Sequence, residues 1–247
     1  MKEFDISDIS RIDITPFLSV PFLRLVASSY GSLTYEMLFV LDLQDGRLRF
    51  VSDTSGFAHR FLKTNFQERT FKSLVETVSG QDVLKIDTIF SLIQAFYKAH
   101  PVNVPEKLLF MTDMQMVFYG EAKASVTYKF VPYLIGEDRA LRYLLGSLGL
   151  SSGLYRDKIV ALNTENNEEF QCDIESQAWQ KVSRVSLTPI ELIVLSLSAQ
   201  GLHVNDIAAQ ISKARDSVKA IRKRIFGKMG VTNIMEAVIF AVNHKLI

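Results

Sequence analysis

Hydrophobic positions along the chain change their period several times, and each change predicts an element. From Tyr35 the run MLFVLDL leads into Gln44-Asp45-Gly46 and then RLRFVSD, where Leu48 and Phe50 alternate with Arg47 and Arg49. This pattern predicts a β-hairpin with an Asp-Gly turn. Residues 53–100 lose the alternation and read as helical, with Asp82 capping a segment whose Val83, Ile86, Phe90, Ile93 and Tyr97 recur at spacings of three and four. His100-Pro101 ends it. Three alternating segments follow. Met114, Met116 and Phe118 are expected on one face of the first, Val126, Tyr128 and Phe130 on one face of the second, and Leu141, Tyr143 and Leu145 on one face of the third. Gly120, Gly136 and Glu137-Asp138 punctuate them, as in an antiparallel meander.

After Ser151-Ser152-Gly153, KIVALN and FQCDIE flank Asn166-Asn167 as a second hairpin, and Trp179 follows in what reads as a connector. Residues 1–34 form an extension in which Pro16–Ser29 is apolar enough for a short helix; the pattern assigns it no role. The predicted divisions are 1–34, a sheet domain over 35–150, a hairpin and connector over 151–186, and a helical domain over 187–247.

Beyond Leu187 the apolar period is helical throughout. Thr188-Pro189-Ile190-Glu191 has the composition of a capping box with proline at the first helical position. Leu192, Leu195 and Ala199 then share a face, and Gly201 suits a left-handed closing residue. A short helix carrying Ile207, Ala208 and Ile211 comes next. In the following segment, SKARDSVKAIRKRIFGKMGV, the residues Val218, Ile221, Ile225 and Met229 fall on one stripe at 100° per residue. Asp216, Lys219, Ala220, Lys223 and Arg224 then point away from the core. A last helix is capped by Asn233 with Glu236 three residues on, and its apolar residues spread too widely for a single buried face.

Charge sharpens the helical reading. The whole chain of 247 residues carries a formal net charge of +1, but residues 187–247 hold 8 Lys and Arg against 4 Asp and Glu, whereas the remainder holds 20 against 23. The cation excess is therefore concentrated around the third helix of the C-terminal domain. Four short helices with a basic third describe a helix-turn-helix, in which small Ala220 between Lys219 and Lys223 lets the exposed face descend into a major groove while flanking cations meet phosphates.

The C-terminal segment resembles the DNA-binding domain of the LuxR family of transcriptional regulators. The resemblance rests on Leu187, Thr188, Glu191, Leu195, Ala199, Gly201, Ile207, Ala208, Ser217, Val218, Lys219, Ile225, Lys228, Met229, Gly230, Val231, Glu236, Ala237 and Val238. It implies base-facing roles for Lys219, Ala220 and Lys223, phosphate contacts from Arg215, Ser217, Arg222, Arg224 and Lys228, and subunit pairing through Met235, Ile239, Val242 and Leu246 of the last helix. Five positions depart from the family pattern: Ile190 replaces an Arg, Val204-Asn205 an Asn-Lys pair, Ala214 a Ser cap, and Ile221 a His. Loss of the Ser cap costs on the order of 1 kcal/mol unless Asp216 or a shifted helix start compensates.

The order strand, strand, short helices, three strands over residues 35–150 resembles a PAS domain, which implies a five-stranded antiparallel sheet with helices on one face. The expected fold class is thus α+β followed by an all-α domain. The expected function is a cytoplasmic DNA-binding regulator in which the PAS-like domain controls the helix-turn-helix, with double-stranded DNA and a second copy of the chain as partners and a small-molecule or protein signal at the sheet domain. The alternative is an interaction or dimerisation module with a degenerate helix-turn-helix that titrates other regulators.

Other chemistries find little support. A single cysteine, Cys172, excludes an internal disulfide and a multi-thiolate zinc site, and a reducing compartment is the simplest reading. It also lies outside the PAS-like span, where a flavin-adduct cysteine would be needed. His59 and His100 each lack a ligand partner at metal spacing, so no cofactor is expected. Asp42, Asp45 and Asp53 fall at turns and lack the paired acids of a phosphate-accepting receiver. The single Trp fits poorly with an aromatic-rich acyl-homoserine-lactone pocket. No nucleophile–base set, Gly-rich phosphate loop or carboxylate pair stands at useful spacing, so no enzyme activity is expected. No signal peptide or apolar run of about 18 residues is present, so no membrane is expected as a partner.

Overall fold

A computed structural model describes residues 36–52, 70–71, 80–117, 123–135 and 140–247. The strands are β1 (Met37–Asp42), β2 (Leu48–Ser52), β3 (Leu108–Val117), β4 (Lys123–Ile135), β5 (Leu141–Leu150), β6 (Lys158–Asn163), β7 (Glu168–Asp173) and β8 (Ala178–Val182). The helices are α1 (Gly80–Val83), α2 (Ile86–Ala99), α3 (Pro189–Ala199), α4 (Val204–Gln210), α5 (Arg215–Met229) and α6 (Ile234–Asn243). The fold is mixed α+β.

The eight strands among the described residues form one sheet in the order β2-β1-β5-β4-β3-β6-β7-β8, and each of these pairings is antiparallel. Its first five strands have the PAS-like arrangement expected. The second hairpin joins the same sheet. Leu108 to Met111 of β3 pair with Asn163 to Val160 of β6, so the hairpin continues the sheet, and Trp179 lies on an eighth strand that the pattern did not predict. Polar side chains set both hairpins. At the first, Gly46 adopts φ +68° and the carboxylate of Asp42, buried at the end of β1, accepts from the Gln44 amide and from Arg49 at 2.7 Å. At the second, Asn163 and Asn166 accept from the Glu165 and Glu168 amides and Asn167 adopts φ +64°.

The inner strands of the sheet are buried on both faces, as the near-continuous apolar runs of β1 and β6 reflect. One face packs on α2, whose Ile86, Ile89, Ile93 and Phe96 meet Phe110, Met114, Tyr128 and Phe130 from the strands. Aromatic rings dominate here: Phe39, Phe71, Phe90, Tyr128 and Phe130 lie with centroids 5.0–6.3 Å apart. Gly146 makes room for them, since a Cβ there would lie 2.2 Å from the Phe39 ring. Trp179 closes the far end against Phe96 and Phe110.

Two pattern-based placements are corrected. Asp82 does not cap the long helix; it lies in α1, and its buried carboxylate accepts the Gln115 amide of β3 at 3.0 Å, while Lys85 stands at the start of α2 without a side-chain cap. Leu141 does not share a face with Tyr143 and Leu145. The register shifts where Pro132 and Leu134 of β4 pass β5, so Leu141 joins Leu144 and Leu148 on the α2 face, whereas Tyr143 and Leu145 pack with Leu38, Val40 and Phe50 on the other. Proline supplies no ladder N–H, and a bulge is where a strand accommodates one. Pro16–Ser29, Asp53, His59, Phe118, Gly120, Gly136, Glu137 and Asp138 lie outside the described residues.

The second face carries the helical domain. Leu109 and Met111 of β3, Val160 and Leu162 of β6 and Tyr155 belong to one buried cluster with Val194, Leu195, Ile225 and Phe240 of the helices. Strand β3 therefore contributes alternate side chains to the α2 core and to the helical-domain core.

Candidate nucleic-acid interface

Local chemistry builds the helical domain in the order the sequence predicts. The Thr188 hydroxyl accepts from the Glu191 amide at 3.4 Å and the Glu191 carboxylate accepts from the Thr188 amide at 2.8 Å, completing the capping box of α3 with Pro189 in its first turn. Gly201 takes φ +86° after α3. Helix α5 starts at the N-cap Ala214, in extended conformation and with no side-chain cap, so the helix start has not shifted to replace the missing Ser. It ends at Gly230 in the left-handed region, with the Val231 amide donating to Phe226 O at 3.1 Å. Asn233 caps α6 by accepting from the Glu236 amide at 2.9 Å.

The predicted buried stripe of α5 is present: Val218, Ile221, Ile225 and Met229 are all buried. Ile221, which stands where the family has His, is thus a core residue, and Ile190, half-buried, packs against the same cluster. The opposite face of α5 is open. Arg215, Ser217, Lys219, Ala220, Lys223 and Arg224 are exposed, and Asn205 is exposed at the start of α4. Lys219 is paired along the helix with Asp216 at 3.1 Å, where the carboxylate also complements the helix N-terminus. A depression of about 310 Å³ between Ile190, Lys213, Ser217, Ala220, Ile221 and Arg224 opens on this face.

Two of the expected phosphate contacts are engaged by the scaffold, Arg222 half-buried and Lys228 exposed. Arg222 donates to the Ser198 hydroxyl at 2.8 Å and to Leu202 O at 3.4 Å, tying α5 to α3 and its following turn. Lys228 donates to Glu191 at 2.7 Å and to Ser186 O at 3.1 Å, and Arg224 reaches the same carboxylate at 3.8 Å. Burial pushes the Glu191 carboxyl up, but the Lys228 ammonium and the Thr188 donors more than reverse this and hold it below the ordinary carboxylate range. The capping-box acid is therefore also the anchor of the basic helix, a second role that spacing along the chain does not reveal.

Helix α6 buries Ala237, Phe240 and Ala241 and presents Met235 and Val242 outward, 64% and 53% exposed, with Ile239 and Leu246 half-buried beside them. Its C-terminal end makes contacts the sequence reading missed: His244 is buried between Tyr155 and Glu169 of the sheet domain. His100, for which no ligand partner stands at metal spacing in the sequence, stacks on Phe96 at 4.1 Å. Among the described residues no three His, Cys, Asp or Glu side chains cluster as metal ligands, and no single helix is long and apolar enough to cross a membrane.

Residues 185–241 match the model of the bacterial regulatory proteins of the luxR family. A comparison with curated proteins found no match. Among solved structures, a phage VqmA–DPO complex is 12% identical and covers 92% of each chain at a TM-score of 0.34. A Vibrio cholerae VqmA dimer in the absence of target DNA is 11% identical, covering 90% of this chain and 87% of that one at a TM-score of 0.34. The PAS domain of a Colwellia psychrerythraea protein is 16% identical over 53% of this chain and 96% of its own, at a TM-score of 0.35. None of these structural likenesses is close enough to carry a residue role across. The family match and the helix order together identify the C-terminal segment, residues 185–241, as a LuxR-family regulatory helix-turn-helix domain, joined here to a PAS-like antiparallel sheet.

Proposed function

We propose that the chain is a cytoplasmic transcription regulator that binds double-stranded DNA through α5 as a homodimer, under the control of its PAS-like domain. One observation carries this reading: Lys219, Ala220 and Lys223 lie together on the open face of a helix whose other face is fully clamped to its own scaffold. The small Ala220 allows close approach to base edges, and Arg215, Ser217 and Arg224 flank it for phosphates. Arg222 and Lys228 belong to the scaffold in this proposal. The exposed Met235 and Val242, with Ile239 and Leu246, supply an apolar surface for pairing two copies on a two-fold symmetric site. The sensing role draws support from the α2 face of the sheet, where the Thr112 and Tyr128 hydroxyls are buried without a hydrogen-bond partner among the described residues.

A protein-interaction module is the second reading, favoured by the uncapped start of α5 and the pairing of Lys219 with Asp216. Titrating genomic fragments with the full chain at several salt concentrations separates the two. A preferred sequence, with affinity falling steeply as salt rises, is the expected result. Absence of a footprint on every fragment would leave the interaction module as the better account.

A further inference from the structure

The sheet and the helical domain meet through a file of buried polar groups set into an apolar contact. His244, at the C-terminal end of α6, is 1% exposed. Its Nε2 lies 2.6 Å from the Tyr155 hydroxyl, its Nδ1 lies 3.2 Å from Glu169 Oε2 of β7, and its ring stacks on Phe240 at 4.0 Å. The His244 carbonyl accepts from Arg184 at 2.6 Å. On the sheet side the file continues inward. The Tyr155 amide donates to the buried Asp113 carboxylate of β3 at 2.9 Å, and that carboxylate also accepts from Thr127 of β4 at 2.6 Å. Glu169, Tyr155 and Asp113 are each no more than 5% exposed. Of these two contacts only the one to Tyr155 has hydrogen-bond geometry: His244 Nδ1 and Glu169 Oε2 lie side by side, buried and without a hydrogen-bond partner among the described residues.

Apolar area alone would hold the two domains together without fixing how they sit, because hydrophobic attraction is non-directional. A buried polar file behaves differently: sliding or rotating the helical domain would break the hydrogen bonds of His244 with Tyr155 and Arg184 and leave those groups unpartnered in a low-dielectric contact, so one orientation is selected. We propose that Tyr155, His244 and Glu169 form a positioning joint that locks the helix-turn-helix domain in a single orientation on the sheet. The joint leaves Lys219, Lys223, Met235 and Val242 exposed, so it orients the groove-reading and pairing surfaces without covering them. Strand β3 connects the joint to the α2 core, since Asp113 faces the joint while Phe110 and Met114 face α2. The consequence for DNA, a fixed separation between the two reading helices of a dimer, rests on the function proposed above; the joint itself does not.

The test uses the full chain with Tyr155→Phe and, as a second variant, His244→Gln. Amide exchange read by mass spectrometry is expected to quicken about tenfold or more in α6 and in β6–β7, while α2 keeps its protection. Unchanged exchange in α6 in both variants would overturn the joint. So would equal acceleration in α2 in both, because the residues would then support the fold at large. A DNA arm compares two half-sites at their preferred spacing with the same sites shifted by half a helical turn. The parent chain is expected to lose affinity on the shift about tenfold more than either variant; an equal loss counts against the joint. If the parent binds no DNA at all, the functional proposal fails while the exchange result still decides the joint.

Discussion

The helical domain and the sheet domain secure their elements by different means. In the helical domain several helix ends are secured within a few residues, by Thr188 with Glu191, Gly201, Gly230, and Asn233 with Glu236, while the start of α5 is uncapped. In the sheet domain the partners come from far along the chain. Phe39 packs on Phe130 and fills the space left by Gly146, and Asp82 meets Gln115. A core assembled from distant strands distributes any single loss over many neighbours, whereas a helix end concentrates it on one hydrogen bond. Substitutions in the sheet core should therefore be costly and global, and those at helix ends small and local.

The largest expected effect comes from Phe39→Ala, which removes a fully buried ring from the aromatic cluster. Destabilisation of about 3–5 kcal/mol is expected, measured by urea unfolding of the full chain. A loss below about 1 kcal/mol would mean that the cluster is not the keystone of the sheet. Next stands the open face of α5. Lys219→Ala with Lys223→Ala should lower specific DNA affinity about 100-fold and flatten the salt dependence by about two units of slope. Fluorescence anisotropy at several salt concentrations reads both quantities, and circular dichroism should show the fold intact because neither side chain is buried. Unchanged binding would move the nucleic-acid surface elsewhere.

The same contrast decides how much was legible in the sequence. The stripe Val218, Ile221, Ile225, Met229 and the capping box depend on neighbours three or four residues away, so periodicity and residue type suffice to place them. Leu141 was misplaced because a bulge near Pro132 on another strand resets its face, and nothing near Leu141 announces it. Arg222 and Lys228 read as phosphate contacts, and their bonds to Ser198 and Glu191, 24 and 37 positions away, leave no mark along the chain. Tyr155 and His244 are 89 positions apart, and neither is singled out by any local pattern. β8 was overlooked because its half-buried and exposed residues give little alternation to read. Local chemistry is written locally, and the site residues it missed are those whose partners arrive through tertiary packing.

Glu191 tests whether a helix-end residue can act beyond its own helix. Its folded carboxyl ionises below the ordinary range, so the ionised form contributes stability above a glutamate's unfolded pKa of about 4.3 and loses it as pH falls through and below that value. Glu191→Gln keeps the capping geometry and removes the charge facing Lys228 and Arg224. At pH 7 the helical domain should lose about 1 kcal/mol, since both cations are partly solvated. Between about pH 5 and 3 the stability of the variant should fall less steeply than that of the parent. Parallel pH profiles would show that the Glu191 charge plays no part in holding α5.

The smallest effect is expected at Ala214. Its backbone already has the extended N-cap conformation, φ −66° and ψ 147°, and no side chain serves the first turn of α5. In Ala214→Ser a hydroxyl stands beside the first-turn amides of α5, of which that of Ser217 already donates to the Ala214 carbonyl at 3.0 Å, so a gain of about 0.5–1 kcal/mol is expected, with slower amide exchange confined to residues 215–218. If protection spread instead into the sheet, helix ends would be coupled to the distant core and the contrast between the domains would fail. If no gain occurred, Asp216, whose carboxylate sits in the same turn, would already be stabilising the helix start, and its pairing with Lys219 would be a by-product of that position.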